Sequence, residues 1–437
     1  MEDVELVPND RWYTGYFLSN LAGGLTNPLI TLYVVSYLGL GVFYVGLASS
    51  LASAASVPAL LFWGNISDRI KKRKIFILIG FYGAFASLMG ILLAHNIWEY
   101  IAVLMVFQVL VMASVPVSTL IIMENSAEKS WATTLSKFNA ISASGTLAGL
   151  LSGAVMVIMV VGNDPGYLPM FYVIAGAFYA MASIAVSLTI PEPKKNISRK
   201  KLWKLNSIRI FERARFLPSN VIHFVSPSSN RGRRIPSDLR LYLFSTTFLM
   251  FGFQLFFVAF PVFVLEILGA NQGEIFFMYL ANALGSVITF RYAGILSQKY
   301  GDRKLTALAL LGRVIIFLSM GGLAVVAIHS LLEISVAIVA YGTLGGLWSF
   351  IGLGQLTGVS RLAGKTLRGK AIGYYNSFNG VAQIVAGFSG GIVALYAGYG
   401  SDFVLAAIIV LSGSGLALRL TAGKRVSREV SSDTSTQ

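Results

Sequence analysis

The chain has 437 residues, 55% of them hydrophobic and only 12% charged, with a formal net charge of +15. Soluble domains carry about 25% charged residues, so an ordinary water-soluble enzyme is excluded and nucleic-acid binding is disfavoured despite the basic balance. The absence of cysteine removes disulfide and thiolate chemistry, and three histidines make a dedicated zinc site unexpected.

In chain order, Met1–Asp10 comes first and is acidic through Glu2, Asp3, Glu5 and Asp10, unlike the basic start of a cleavable signal peptide. Apolar runs close to the ~20 residues that cross a bilayer as a helix then predict twelve spans. They cover roughly 12–38, 42–63, 75–95, 98–122, 136–161, 167–190, 239–266, 274–293, 305–328, 332–356, 371–397 and 402–420. The predicted fold class is an all-α integral membrane protein. Segments 1–11, 64–74, 123–137, 191–240, 291–304, 361–370 and 419–437 hold 33 of the 34 basic residues. Lys and Arg gather in cytoplasmic loops, so both termini are expected in the cytoplasm of a cell whose membrane the chain crosses. The opposite edges carry Glu99, Asp164, Glu266, Glu274, Glu333 and Asp402.

Six spans (1–190) precede a basic cytoplasmic linker (191–238) that opens Pro191-Glu192-Pro193-Lys194-Lys195; six more (239–420) precede a polar tail (421–437). Within the linker, 202–217 alternates apolar and basic residues at roughly helical spacing. It reads equally as a helix on anionic membrane lipids or as a tether whose arginines fix topology. Each half carries a marker after its second span. The first runs Gly64-Asn65-Ile66-Ser67-Asp68-Arg69-Ile70-Lys71-Lys72-Arg73-Lys74, and the second runs Gly294-Ile295-Leu296-Ser297-Gln298-Lys299-Tyr300-Gly301-Asp302-Arg303-Lys304. A duplicated unit accounts for the recurrence.

With this 6+6 division and a Gly/Asp-Arg/basic marker in both halves, the sequence resembles the major facilitator superfamily over nearly its whole length. The resemblance implies two six-helix bundles that rock about a central site, giving alternating access. It implies that spans one, four, seven and ten line the cavity, that two, five, eight and eleven form the bundle interface, and that the rest face lipid. It further implies that Gly64, Asp68, Arg69 and Arg73 form a cytoplasmic gate, with Gly294, Gln298 and Arg303 as its counterpart. A carboxylate near a helix N-terminus gives Asp68 a physical basis as a latch. Gln298, in the place of that acid, makes the second gate the more structural one.

Gly145, Gly149 and Gly153 recur every four residues in span five, the spacing that lets helix backbones approach. The stretch resembles the antiporter motif of drug exporters but lacks its Pro. Span eleven answers with Gly387, Gly390 and Gly391. Amides are costly in hydrocarbon unless paired. Asn20, Asn27, Gln108, Gln254, Tyr341, Trp348, Gln355 and Asn376 are therefore the candidate cavity residues, with Asn139, Asn282, Asn379 and Gln383 on the interface spans. Each alone reads more readily as helix-to-helix glue; as a set they suit a solute. Arg313 is the single basic residue well inside a span. Its reading favours snorkelling to the cytoplasmic face or a structural partner over a coupling role. A cavity without fixed charge suits a neutral or amphipathic solute.

The expected function is therefore secondary transport of a small organic solute, as ion-coupled export. Uptake of a neutral metabolite such as a sugar is the alternative, and a transporter-like membrane sensor is the alternative from another class. No enzyme activity, cofactor or metal is expected. The expected partners are a small-molecule solute, a coupling proton and anionic lipids, with no nucleic acid and the chain acting as a monomer.

Overall fold

The computed structural model describes residues 10–70, 72–125, 131–161, 164–190 and 236–433, and every regular element among them is helical. Segment 1–9 and the linker segment 202–217 lie outside the described residues. The helices are α1 (Tyr13–Thr26), α2 (Leu29–Leu32, running into a π turn at Tyr33–Tyr37), α3 (Val42–Ile70), α4 (Arg73–Ile91), α5 (Ile97–Val111) and α6 (Val115–Asn125). They continue with α7 (Trp131–Met156), α8 (Leu168–Thr189), α9 (Ser237–Glu266), α10 (Gln272–Tyr300), α11 (Asp302–Val326), α12 (Leu331–Ala397) and α13 (Tyr399–Asp433).

Among the described residues, eleven helical stretches are long and apolar enough to cross a membrane, with α5 and α6 together making one and α12 making two. The first predicted span is the exception. It is helical in pieces, interrupted at Asn27-Pro28, where the proline ring excludes the preceding turn and supplies no N–H. Span four is likewise broken, at Met112–Ser114, just ahead of Pro116.

The marker and loop segments are more helical than the hydropathy pattern suggests. Gly64–Ile70 completes α3, and Gly294–Tyr300 completes α10. The turn into α11 is the single residue Gly301, at φ +86°, a conformation glycine adopts without penalty. The expected loop 361–370 is helical except at Gly364, where φ is +67° and α12 breaks. The expected tail is helical as far as Asp433. Charges end a hydrophobic run but not a helix, because Lys, Arg and Glu are good helix formers once outside hydrocarbon.

The acidic edge residues have a local role. Asn271 and Glu274 form a capping box at the start of α10, and Ser330 with Glu333 forms another at α12. Asn96 caps α5 while Glu99 accepts from the His95 backbone N–H at 2.7 Å. Each carboxylate answers orphan N–H groups at the positive end of a helix. Asp402, expected at a loop edge, is instead fully buried in the first turn of α13.

The chain folds as two compact units. The described parts of the first lie within Met1–Gly23, Ala54–Gly145 and Tyr172–Arg234. Its core gathers Trp12, Tyr13, Tyr16, Phe81 and Phe138, with ring centroids 4.6–5.6 Å apart. Tyr16 donates its hydroxyl to the Ser114 carbonyl at the α5–α6 break, at 3.2 Å. The second unit lies within Gly24–Ser53, Thr146–Phe171 and Ile235–Gln437. Its centre is a phenylalanine stack in which Phe256 lies 4.1 Å from Phe317 and 4.7 Å from Phe260.

Candidate functional site

In the second unit, three helices converge on one cation. Phe253, Phe257 and Phe260 recur at four- and three-residue steps along α9, so they share one face. Tyr341, Leu344 and Trp348 do the same on α12. Between them stands Arg313 of α11, only 2% exposed. Its Cζ lies 4.2 Å from the Phe253 ring centroid, 5.4 Å from Phe257 and 5.6 Å from Trp348. Nη2 donates to the Leu344 carbonyl at 3.1 Å, whereas Nε and Nη1 are buried without a hydrogen-bond partner. Tyr341 continues the wall, stacked on Phe260 at 5.5 Å with planes 8° apart.

Of the two readings given for Arg313, the geometry fits the structural partner and not snorkelling: it turns into the protein, because an aromatic face offers a desolvated cation about 2 kcal/mol or more, which lipid tails do not. Of the cavity candidates, Trp348 stands against this cation and Tyr341 continues the aromatic wall beside it. A charged side chain at this depth costs roughly 2.5–3.5 kcal/mol on insertion scales, so the aromatic cage offsets much of its burial without neutralising it.

The amides divide. Asn282 donates to the Tyr341 carbonyl at 2.7 Å, joining α10 to α12. Gln355 is 1% exposed and accepts from the Tyr375 hydroxyl at 2.8 Å, joining the two parts of α12. Asn20 donates to the Tyr16 carbonyl one turn back, at 2.7 Å. The first two act as helix-to-helix glue, whereas Asn20 bonds within its own helix. Gln108, Gln254 and Gln383 are half-buried, whereas Asn27, Asn139 and Asn376 are exposed. Asn379 is buried with its Oδ1 unpartnered. Gln254 sits beside Phe253 in sequence; Asn376 is not brought to the aromatic cage by any described contact.

The two markers are built differently. In the first unit Arg73 is buried and donates through Nη1 to the Ser67 carbonyl at 2.8 Å, clamping the α3–α4 junction. Gly64, Asp68 and Arg69 stand in α3; the side chains of Asp68 and Arg69 lie outside the described ones. In the second unit Gln298 is exposed, as are Gly294 and Arg303. Four residues on from Gln298, Asp302 accepts from the Ser297 hydroxyl and pairs with Arg361 Nη2 at 2.7 Å. Asp302 is visible in the marker, but its partner lies 59 residues on, beyond any local pattern. The adjoining cleft between Asp302, Thr306, Gln355 and Arg361 holds about 80 Å³, below the roughly 300–1,000 Å³ of organic-ligand sites.

The glycines mark where helices touch. Gly145 lies against the Phe17 carbonyl and Asn20 of α1, and Gly153 lies against the Phe276 ring of α10. Gly149, between them in sequence, is buried. Within the second unit, a Cβ on Gly46 would strike the Gly387 carbonyl, and one on Gly391 would come within 3.1 Å of the Phe43 backbone. The early part of α3 thus packs backbone to backbone on the later part of α12.

The Major Facilitator Superfamily family model matches residues 12–385 and 242–435. A protein of Enterobacter lignolyticus (strain SCF1) named Multidrug resistance protein MdtG is 25% identical over 433 residues, covering 94% of this chain and 91% of that one. The fold is similar to the crystal structure of a POT family transporter in complex with 5-aminolevulinic acid, with TM-score 0.73, 12% identity and coverage of 97% and 99%. It is similar as well to nucleoside transporter NupG, with TM-score 0.68, 15% identity and coverage of 95% and 99%.

Proposed function

The chain belongs to the major facilitator superfamily, as a multi-pass cell-membrane transporter of small-molecule solutes, and from that premise we propose that it exports amphipathic organic compounds, driven by an ion gradient. The observation that carries this reading is the near full-length similarity to a relative named for multidrug resistance. Alternating access between two six-helix halves, with both termini in the cytoplasm, is the proposed mechanism. The glycine contacts of α3 with α12 support it, since smooth backbone-to-backbone surfaces permit sliding and release. In this mechanism Asp68 and Arg69 close the cytoplasmic side, with Arg73 holding their turn.

Sealed proteoliposomes containing the full chain test the reading. Under an imposed pH gradient, cationic, neutral and anionic dyes and a set of sugars are offered. The expected result is dye flux that stops when the gradient is collapsed, and Asp68→Asn protein that inserts normally but moves dye several-fold more slowly. Sugar flux without dye flux would replace export by uptake of a polar metabolite. Dye flux indifferent to the gradient would remove ion coupling.

A further inference from the structure

The aromatic cage around Arg313 has a use that neither packing nor the export reading assigns. The residue is the eleventh beyond Asp302, the start of α11, which places it about 16 Å along the helix at 1.5 Å per residue. That is close to half the ~30 Å hydrocarbon thickness. No ion pair reaches it among the described residues, and of its donors only Nη2 is satisfied. The guanidinium presents two forked edges that share Nη2: Nε–H with one Nη2–H, and Nη1–H with the other. The Leu344 carbonyl occupies one of the two Nη2 hydrogens, which leaves the other edge unpartnered while Nε and Nη1 stay enclosed by the cage, so a ligand reaches the fork only as the rings part. A planar fork of two parallel N–H groups matches a carboxylate.

Its surroundings select what else the ligand carries. Phe257 and Trp348 are half-buried, so at these two residues the cage reaches the protein surface. Half-buried Gln254, next to Phe253, adds an amide on the same helix. A flat apolar ring fits against aromatic faces while its acid group meets the fork. Inorganic anions would gain from the fork but not from the rings, and neutral drugs would gain from the rings but leave the fork unanswered.

We propose that Arg313 anchors the acid group of transported solutes, making aromatic carboxylates a substrate class of this protein. Phe253, Phe257 and Trp348 position the ring, and the Leu344 carbonyl fixes the fork. The inference rests on the transporter reading only for the movement of the solute; binding at Arg313 stands by itself.

The test uses purified full-length protein and two shape-matched probes, 2-naphthoate and the neutral 2-naphthamide, with equilibrium binding measured first. Wild type should prefer the acid by about tenfold or more, the worth of one or two charge-assisted hydrogen bonds. Arg313→Gln should lose that preference and retain the amide, while Arg313→Lys should keep part of it. Undetectable naphthoate binding, equal affinity for the two probes in the wild type, or an acid preference surviving in Arg313→Gln each overturns the proposal. Because the wild-type ratio needs no variant, a misfolded Arg313→Gln protein still leaves a decisive result. Proteoliposome flux then separates the two readings. Arg313-dependent binding without flux of any probe would sustain this site and remove the transporter; flux of naphthamide with no preference for naphthoate would do the opposite.

Discussion

Two arginines of the second unit show how differently one side chain is used. Arg361 is 71% exposed and holds the Asp302 carboxylate at 2.7 Å, at the turn where α10 hands over to α11. Arg313 is buried, faces three rings and one carbonyl, and has no acid beside it among the described residues. The exposed pair is geometrically ideal and energetically modest, because water and salt screen it. The buried cation has the poorer set of partners and the greater leverage, since nothing in its surroundings screens it. Good pairing fastens a turn; the incompletely paired cation is held by rings and one carbonyl.

The sharpest way to break that contrast is Arg313→Met, which keeps the aliphatic stem and deletes the charge. Transport of acidic solutes should fall about tenfold or more, while the thermal midpoint holds or rises, as often happens when a buried charge is replaced by an apolar side chain. A lowered midpoint with unchanged flux per folded molecule would make Arg313 the fastening instead. Next in size comes Gly46→Val. The added carbons would strike the Gly387 carbonyl, so a loss of about 1–3 kcal/mol in stability is expected, read as a lower urea midpoint together with slowed flux. Asn282→Ala removes the bond to the Tyr341 carbonyl and should cost about 0.6–2 kcal/mol in the same denaturation assay. Arg361→Ala should cost at most about 1 kcal/mol, and less as salt is raised. Gln298→Ala, at an exposed position, should change neither flux nor midpoint. If it slows flux as Asp68→Asn is expected to, the second gate depends on residue 298 after all.

Hydropathy makes most of the helices legible, because the cost of an unpaired peptide group in hydrocarbon leaves the chain little choice. It misplaces their ends for the same reason. The pattern stops where charge begins, as at Gly64 and Gly294, but α3 and α10 continue to Ile70 and Tyr300. Pro28 and Pro116 are readable as breaks, yet the apolar runs around them are unbroken and hide the interruption. At the candidate site, residue type and position alone single out Tyr341 and Trp348. They single out Arg313 too but leave it between snorkelling and an internal partner: its direction depends on which rings α9 and α12 turn towards it, and that is tertiary information. The Asp302–Arg361 pair joins residues far apart in sequence, so only folding reveals it.

The capped helix starts carry a consequence for how the protein is made. Glu274 and Glu333 close their boxes with Asn271 and Ser330, three residues away, and Glu99 reaches back to Asn96 at the same interval. Bonds this local form within a single emerging segment, before any neighbouring helix exists to pack against. During synthesis, the starts of α5, α10 and α12 are therefore settled one helix at a time, and a newly threaded hairpin already has its depth in the bilayer marked when its partners arrive. Substituting these acids should show itself less in the purified protein than in the yield of correctly inserted chains.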